Sequence, residues 1–474
     1  MDSAEFFFIF LTQCMAHSIT FLGGAEEIGA NSCFLDIDGT GMFIDAGLHP
    51  RMKVKRTFPA VEAITHTNTD YALLTHAHND HVGGLPYLLK FHPHLKLMAT
   101  RATRDVMSIT LPNTAKILRS APPVDVLAAD LEHYQSKTVR EIVSLIEGVE
   151  YDTPLPLRGK RGITDINATF FNAGHILGSA GILFEVGGKN IFHTGDVQFH
   201  NQAVLTKAKF PRHHLDVLIC ESTNGLSDED TPEFNKEKQN LAQFINAITT
   251  NGGSVLIPSF SLGKTQEILT ILYQLMKKTT IPTLPIYTGG ISKKVSNLYD
   301  RYCYDGGRVN KGFEIADIPQ NPINHEELMT GPYFSTPSIV VASSGMMNPG
   351  TTSYKLAAKW LDKGNFGIAF VGYQDEDSPG HALLNSEHKK PFLFSGTQRT
   401  RKCQVGKFRF SAHANRAELV DFILGASPKE LYLIHGDDDA CSSLALTVME
   451  FLPHTKVVIP RLGKTYQLLV EKDS

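Results

Sequence analysis

An apolar run near residue 72 ends directly in a cluster of residues that commonly bind metals. The stretch "YALLTHAHNDHVGG" places His76, His78, Asp80 and His81 within six residues. With 20 histidines in 474 residues, this pattern arises by chance on the order of 10⁻³ times per chain. A strand end with a polar turn would explain one or two histidines. Four ligand-type residues favour a metal site.

The spacing of the cluster suits two metal ions. Side chains two residues apart on an extended segment point to the same side, so His76 and His78 can bind one ion. Asp80 and His81 follow at the start of a predicted helix, where they can face a second ion.

Further candidate ligands follow other apolar strands of the sequence. They are His175 in "NAGHILGSAG", Asp196 in "HTGD" and His435 in "LYLIHGD". A lone histidine after a strand is more often a hydrogen-bonded structural residue. Together with the first cluster, however, the three predict convergence on one sheet edge. Asp45 in "GMFIDAG" is a candidate for orienting a ligand, with a turn-capping Asp as the alternative.

Composition describes an ordinary globular chain. A net charge of −4 gives no global attraction to nucleic acid or to an anionic membrane, so a polyanion would need a local site. Six cysteines without C-x-x-C spacing argue against a disulfide framework and favour a reducing compartment, the cytoplasm. The apolar "EFFFIFL" is too short to span a membrane. We interpret the first 14 residues as an upstream extension.

The chain divides into three predicted segments. Residues 17–225 are rich in strands, with hairpins in "FLDIDGTGMFIDAG" and "GILFEVGGKNIFHTGD" and a mostly helical stretch over 101–147. Residues 226–400 alternate helices with apolar strands, which predicts a covered parallel sheet. Residues 401–474 return to strands and a helix. The middle segment therefore reads as an inserted α/β domain.

The order of these motifs resembles the metallo-β-lactamase fold, and the later motifs resemble its β-CASP branch. "VLICEST", "FSAH" and "LIHG" carry Glu221, His413 and His435 at that family's three characteristic positions. "GGSVLIPSFSLGKTQEIL" and "ASSGMMNPG" are similar to the nuclease subunit of the pre-mRNA 3′-end cleavage factor and its prokaryotic relatives. The resemblance implies an α/β fold, an αββα sandwich with an inserted β-CASP domain.

The resemblance also implies a dizinc centre in which Asp196 bridges the ions. Manganese or iron would also suit His and Asp ligands. One zinc would be held by His76, His78 and His175, and the other by Asp80, His81 and His435.

A hydrolytic mechanism follows from the same resemblance. A hydroxide between the two zinc ions would attack phosphorus, with Asp80 counted among the catalytic residues as well as the ligands. His413 would give a proton to the leaving oxygen, oriented by Glu221. A capping Glu and a solvated His are the alternatives for these two residues.

Two loops are candidates for binding phosphate. "PSFSLGKTQE" sets Ser259, Ser261 and Lys264 at a predicted helix start, where anions are favoured. "ASSGMMNPG" offers Ser344 and Gly345 in a loop similar to the family's phosphate-contacting loop. The first loop is not a nucleotide P-loop, because a proline stands at the first glycine position. A third candidate is the basic run "RTRKCQVGKFR", which a solvated hairpin face explains equally well.

The sequence therefore predicts a zinc-dependent ribonuclease, acting as an endonuclease, an exonuclease or both. By resemblance, His435 at the third characteristic position and the "EST" motif favour RNA over DNA. We expect a single strand, because it enters a cleft more easily than a duplex. His381 stands where relatives usually have Arg, which weakens the predicted phosphate contacts. The alternatives are a DNA-directed nuclease, a small-substrate hydrolase and a non-catalytic RNA-binding scaffold, and a homodimer is left open.

Overall fold

The computed structural model describes residues 17–25, 27–50, 56–64, 69–211, 214–226, 233–305 and 307–469. The first 14 residues, interpreted above as an extension, lie outside this part of the chain. The described residues form two compact units. The first unit falls within Met1–Phe199, Ala208–Asp228 and His413–Ser474, and the second within His200–Lys207 and Glu229–Ala412.

Short apolar runs closed by Gly or Asp form the strands of the first unit. Both expected hairpins are confirmed, and Cys33 pairs with Ile44 in the first of them. In the second hairpin Gly187 and Gly188 turn with φ of 54° and 75°, which a type I′ turn requires and glycine adopts at little cost. The strands up to the insertion are β1 (His17–Gly23), β2 (Ser32–Ile37), β3 (Thr40–Ile44), β4 (Tyr71–Leu74), β5 (Lys96–Thr100), β6 (Glu147–Val149), β7 (Leu155–Leu157), β8 (Ile166–Asn172), β9 (Ala180–Val186), β10 (Lys189–His193) and β11 (Val217–Glu221).

The stretch over 101–147 is mostly helical, as expected. Its longest helix begins where the hydroxyl of Thr100 accepts a hydrogen bond from the backbone N–H of Thr103 at 3.1 Å, which satisfies one of the free donors of the first turn. Val106, Leu111 and Leu118 lie on its buried face. The helices of this part are α1 (Asn79–Val82), α2 (Leu85–Phe91), α3 (Arg101–Ser120), α4 (Ala128–Leu131) and α5 (Ser136–Leu145).

The second unit contains the predicted parallel sheet. Its strands are β12 (Val255–Pro258), β13 (Ile286–Thr288), β14 (Asn321–Pro322), β15 (Ile339–Ala342), β16 (Gly367–Phe370) and β19 (Gln404–Lys407), with a separate hairpin of β17 (Pro391–Phe394) and β18 (Thr397–Thr400). The sheet order is β14-β13-β15-β12-β16-β19, and all its pairs are parallel. The helices are α6 (Phe234–Thr250), α7 (Lys264–Lys277), α8 (Ile291–Arg301), α9 (Thr352–Trp360) and α10 (Pro379–Leu384).

The second unit extends further along the chain than the expected boundary at residue 400. The boundary predicted at residue 400 places strand β19 in the return segment. In the structure, however, Ile368 of β16 pairs with Val405 of β19, which makes β19 an edge of the parallel sheet. The alternating pattern of this short strand carries no information about which sheet it joins. The return to the first unit therefore comes at His413.

The return segment completes both sheets of the first unit. It contains α11 (Arg416–Ala426), β20 (Glu430–Ile434), α12 (Asp438–Phe451), β21 (Lys456–Val458) and β22 (Thr465–Leu468). The two seven-stranded sheets run β22-β1-β2-β3-β4-β5-β6 and β21-β20-β11-β10-β9-β8-β7. Both sheets contribute to one buried core, including Phe21, Phe184 and Tyr432. Helices α11 and α12 pack on the outer side of the second sheet. This is the expected αββα arrangement.

The five cysteines among the described residues are buried free thiols. Within the described ranges, no helix is both long and apolar enough to cross a membrane.

Two adjacent positions of β17 test how the hairpin is attached. Phe394 is 2% exposed and stacks on Tyr354 with ring centroids 5.0 Å apart, whereas Leu393 is 65% exposed. We expect Phe394→Ala to lower the free energy of unfolding by about 3–5 kcal/mol, because it leaves a cavity in the second unit. Leu393→Ala, the matched control, should change it by less than about 0.5 kcal/mol. Chemical denaturation measures both, and equal effects would contradict this packing.

Candidate metal centre

Local structure delivers the first ligand cluster to the end of a buried strand. Strand β4 is buried along its whole length and ends at Leu74. The chain then turns, with extended backbone at His78, into the short helix α1, which carries His81. The histidines therefore follow the strand at the carboxyl edge of the sheet, beyond its last paired residue.

The other predicted ligands leave the second sheet at a single edge. His175 follows β8, Asp196 follows β10, and His435 follows β20. Strands β10, β11 and β20 are parallel, and β8 runs in the same direction because β9 is antiparallel to both β8 and β10. Their carboxyl ends consequently share one edge, as the sequence pattern predicted.

Four of the predicted ligands converge on one point. His78 Nδ1 lies 3.2 Å from His76 Nε2 and 3.0 Å from His175 Nε2. Asp196 Oδ2 lies 3.4 and 3.6 Å from the same two Nε2 atoms. Donors bound to one tetrahedral zinc at about 2.0–2.1 Å lie about 3.3 Å apart. The four atoms therefore have the spacing of a tetrahedral metal site.

A second group adjoins the first and shares Asp196. Asp80 Oδ2 lies 3.3 Å from His435 Nε2 and 3.8 Å from His81 Nε2. His81 Nε2 is also 3.4 Å from Asp196 Oδ2. The same carboxylate oxygen thus faces both groups of ligands, which is the position expected of a bridging ligand.

The electrostatics of the site fit a bound cation. Asp196 is 2% exposed, and its buried Oδ1 atom has no hydrogen-bond partner among the described residues. Burial opposes ionisation of this carboxyl, but His435 and His81 hold its pKa well below the usual range. Burial lowers the pKa of His76 as well, and that of His78 to about 4, so both imidazoles are neutral, the form that binds metals.

Asp45 fixes the ring orientation of two ligands. Its Oδ2 lies 2.7 Å from both His81 Nδ1 and the hydroxyl of Thr75. That hydroxyl donates to the carboxylate and accepts from His76 Nδ1, which is 3.1 Å away. Both rings are therefore assigned the tautomer with a proton on Nδ1, so that Nε2 faces the ligand group.

A similar contact holds His435. The hydroxyl of Thr223 donates to the His435 carbonyl at 3.1 Å and lies 2.9 Å from His435 Nδ1. Its single proton is committed to the carbonyl, so Nδ1 donates to the hydroxyl oxygen. Sequence reasoning did not single out Thr223 or Thr75. Thr75 lies inside "YALLTHAHNDHVGG" and Thr223 ends "VLICEST", but nothing in either motif indicates a contact with a histidine ring.

Buried Glu221 and partly buried His413 form a pair next to the predicted ligands. Both Glu221 oxygens lie 3.1 Å from His413 Nδ1, and one of them accepts the backbone N–H of Val197 at 2.6 Å. Burial disfavours a charged imidazole, but the Glu221 carboxylate outweighs it and raises the pKa of His413 to about 9. The His413 ring lies 4.5 Å from the ring of His175. A protonated imidazole thus stands against the ligand group.

The predicted phosphate loops lie together in the second unit. Ser259 donates its backbone N–H to Ala342, and Ser344 accepts the backbone N–H of Asn348 at 2.8 Å. A Cβ atom at Gly345 would come within 3.0 Å of the Phe260 ring, so a side chain there would displace the first loop. The two loops pack closely because β12 and β15 are neighbours.

The other predicted residues in this unit have internal contacts. Lys264 is mostly buried and its ammonium donates to the Phe410 carbonyl, while burial lowers its pKa to about 8. Ser261 is partly exposed, and its carbonyl accepts from Gln266. His381, which replaces the expected Arg, donates its backbone N–H to Ser378 at the start of α10.

Three domain families match successive parts of the chain. Residues 40–230 match the Beta-lactamase superfamily domain, and residues 265–383 match the Beta-Casp domain. Residues 399–460 match the domain described as "Zn-dependent metallo-hydrolase RNA specificity domain".

Several curated proteins are similar over most of this chain. The endoribonuclease YSH1 of Kluyveromyces lactis is 28% identical, over 89% of this chain and 56% of its own length. Cleavage and polyadenylation specificity factor subunit 3-I of Arabidopsis thaliana is 26% identical, over 94% and 62%. An RNase J-like protein of Methanocaldococcus jannaschii is 27% identical, over 93% and 99%. The chain thus spans little more than half the length of the first two.

The fold, the ligand groups and the domain matches define a metallo-β-lactamase-fold protein with a divalent-metal site. The Beta-Casp domain at residues 265–383 narrows the assignment from this fold to one of its branches. The chain belongs to the β-CASP family, and the resemblance inferred from its motifs is confirmed.

Asp45→Asn tests the orientation of the ligands. The introduced amide nitrogen would face His81 Nδ1 with two donors, which favours the tautomer whose Nε2 is protonated and cannot bind a metal. We expect zinc affinity to fall by about 10–100-fold with the fold intact. Competition with a chromophoric chelator measures the affinity, and circular dichroism checks the fold.

Asp165→Asn serves as the control, since Asp165 is mostly exposed and pairs with the side chain of Arg158 at 3.4 Å. Equal zinc affinity in both variants would show that Asp45 does not orient the ligands.

Proposed function

We propose that this protein is a zinc-dependent ribonuclease that hydrolyses phosphodiester bonds of single-stranded RNA. One observation carries the proposal: two ligand groups share the buried Asp196 carboxylate and adjoin the Glu221–His413 pair. The endoribonuclease activity named for one relative and the RNA specificity domain support RNA as the substrate.

The ligand roles in this proposal follow the two groups. Two bound zinc ions would supply a water of lowered pKa and positive charge for the phosphoryl oxygens. Asp196 would bridge the ions, while the carboxylate of Asp45 orients His81 directly and His76 through Thr75. The first ion would be held by His76, His78 and His175, and the second by Asp80, His81 and His435.

His413 is the proposed proton donor to the leaving oxygen. The Glu221 carboxylate occupies its Nδ1 side and keeps the ring protonated near neutral pH, so Nε2 is the nitrogen that gives up the proton. Val197 in turn holds the carboxylate in place through its backbone N–H. The Glu221 carboxylate and the Val197 N–H are buried, and His413 is partly exposed, so its ring can face a substrate.

Substrate binding in the second unit is also part of the proposal. Ser259, Ser261, Ser344 and Gly345 are proposed phosphate contacts, supported by the packing of their two loops at the carboxyl ends of neighbouring parallel strands. Lys264 would stabilise the first loop and not contact phosphate directly, because its ammonium donates to the Phe410 carbonyl. The buried free cysteines support a reducing compartment such as the cytoplasm.

The central experiment is cleavage of RNA labelled at either end. Zinc-loaded protein should contain close to two zinc per chain by elemental analysis and cut single-stranded RNA, and the product sizes show endo- or exonucleolytic action. His76→Ala should lose metal and cleavage together. Intact RNA after incubation with the loaded protein would overturn the proposal, and equal cleavage of single-stranded DNA would broaden it.

His413→Ala and His435→Ala separate proton transfer from metal binding. We expect His413→Ala to retain its zinc but lose about 10²- to 10⁴-fold in turnover, since a positioned acid contributes that much. His435→Ala should contain less zinc and recover partly when zinc is added. Zinc content and turnover are measured on the same preparations.

The carboxylate and imidazole of Glu221 and His413 also lie within 4.8 Å of ligand atoms of Asp196 and His435. Loss of zinc in His413→Ala would therefore make His413 a ligand rather than an acid.

A further inference from the structure

The second unit carries a concentration of positive charge that the candidate site does not use. Residues 385–409 contain seven Lys or Arg and one acidic residue, in a chain whose net charge is −4. The acidic residue, Glu387, pairs with Lys390. Five of the basic side chains are exposed, and we call them the basic hairpin surface: Lys389, Lys390, Arg399, Lys402 and Lys407.

The backbone holds these side chains on a fixed scaffold. Strands β17 and β18 pair from Pro391 with Thr400 to Phe394 with Thr397, and the buried Phe394 fastens the hairpin to the core of the second unit. At the base of the hairpin the backbone N–H of Lys389 donates to the Arg401 carbonyl at 2.7 Å. The charges are therefore not carried by a flexible tail.

The surface continues onto the edge of the parallel sheet. Lys407 ends β19, which pairs only with β16 in the described sheet and leaves its other side open. Exposed lysine on an edge strand also discourages association with a second sheet. Protection of the sheet edge is therefore a competing explanation for the exposed basic residues. That explanation accounts for Lys407. It does not account for Arg399 and Lys402, which lie on and beyond a separate hairpin.

We propose that the basic hairpin surface binds the phosphate backbone of single-stranded RNA, as a contact separate from the catalytic residues. The inference rests on the proposed function, which makes RNA the substrate. Exposed ammonium and guanidinium groups on a rigid strand pair attract a polyanion by releasing its counterions, without reading its sequence. A chain with net negative charge requires such a local patch.

The test compares two triple variants that remove equal charge from the second unit. One is Lys389→Gln with Arg399→Gln and Lys402→Gln. The control is Lys278→Gln with Lys293→Gln and Lys294→Gln, which are exposed residues at the end of α7 and on α8. Strand β13, which precedes α8, lies near the opposite edge of the sheet from β19.

The measurement is the fluorescence anisotropy of a phosphorothioate single-stranded RNA, which keeps its charge and resists hydrolysis. With zinc-loaded protein we expect the hairpin variant to bind on the order of tenfold more weakly at 0.1 M salt. The slope of log affinity against log salt should fall by about 2, at about 0.7 for each phosphate contact on a single strand. The control variant should remain within about twofold of the parent protein. Equal affinity and slope in the two variants, or no binding by the parent protein, would overturn the inference.

A small phosphodiester separates this inference from the proposed function. Bis(p-nitrophenyl) phosphate has no chain to reach the hairpin, so the hairpin variant should hydrolyse it at the parent rate while its KM for long RNA rises. If the parent binds the RNA probe but cuts no RNA, the proposed function fails and the binding surface stands. If hydrolysis of the small diester falls with RNA binding, the substitutions have disturbed the site and the surface is not a separate contact.

Discussion

The candidate site depends on the contacts between the buried carboxylate of Asp196 and the imidazoles around it. Its Oδ2 atom lies within 3.6 Å of ring nitrogens of His76, His81 and His175. Its Oδ1 lies 3.4 Å from His435 Nδ1 and accepts no hydrogen bond within the part of the chain that the structure describes. Four buried imidazoles packed together would repel one another on protonation. One carboxylate among them offsets that repulsion and marks where cations fit.

This arrangement requires both sheets of the first unit to meet correctly. The loop after β4 brings ligands from one sheet, and the loops after β8, β10 and β20 bring them from the other. The core shared by the sheets fixes the separation of these edges, since packed interiors deform little. The precision of the site is thus a property of the sandwich core, and residues far from the ligands help to set the ligand distances.

The sequence predicted the parts of the site whose signal is local. The spacing of His76, His78 and His81 predicted a metal site by itself, and the strand-then-turn pattern predicted the later candidates. Thr75 and Thr223 escaped recognition because threonine is common beside strands and their roles depend on partners distant in sequence.

Backbone geometry and pairing between distant strands were harder to foresee. Asp45 and His435 adopt φ of 60° and 51°, values that residues other than glycine rarely take, and no sequence pattern announced them. The predicted boundary at residue 400 places strand β19 outside the second unit, because tertiary packing and not local sequence determines the partner of an edge strand. The hairpins and the parallel sheet were predictable, since turn glycines and uninterrupted apolar runs encode them directly.

The insertion of the second unit between β11 and the return segment has a consequence for biosynthesis. A chain synthesised as far as Ala412 has most ligand residues but neither His413 nor His435, and it lacks the strands β20, β21 and β22 that extend both sheets. Its Asp80 carboxylate and its Glu221 carboxylate have no imidazole partner from the return segment. The complete site therefore forms only after His435 has left the ribosome, so a shorter nascent chain has no assembled centre.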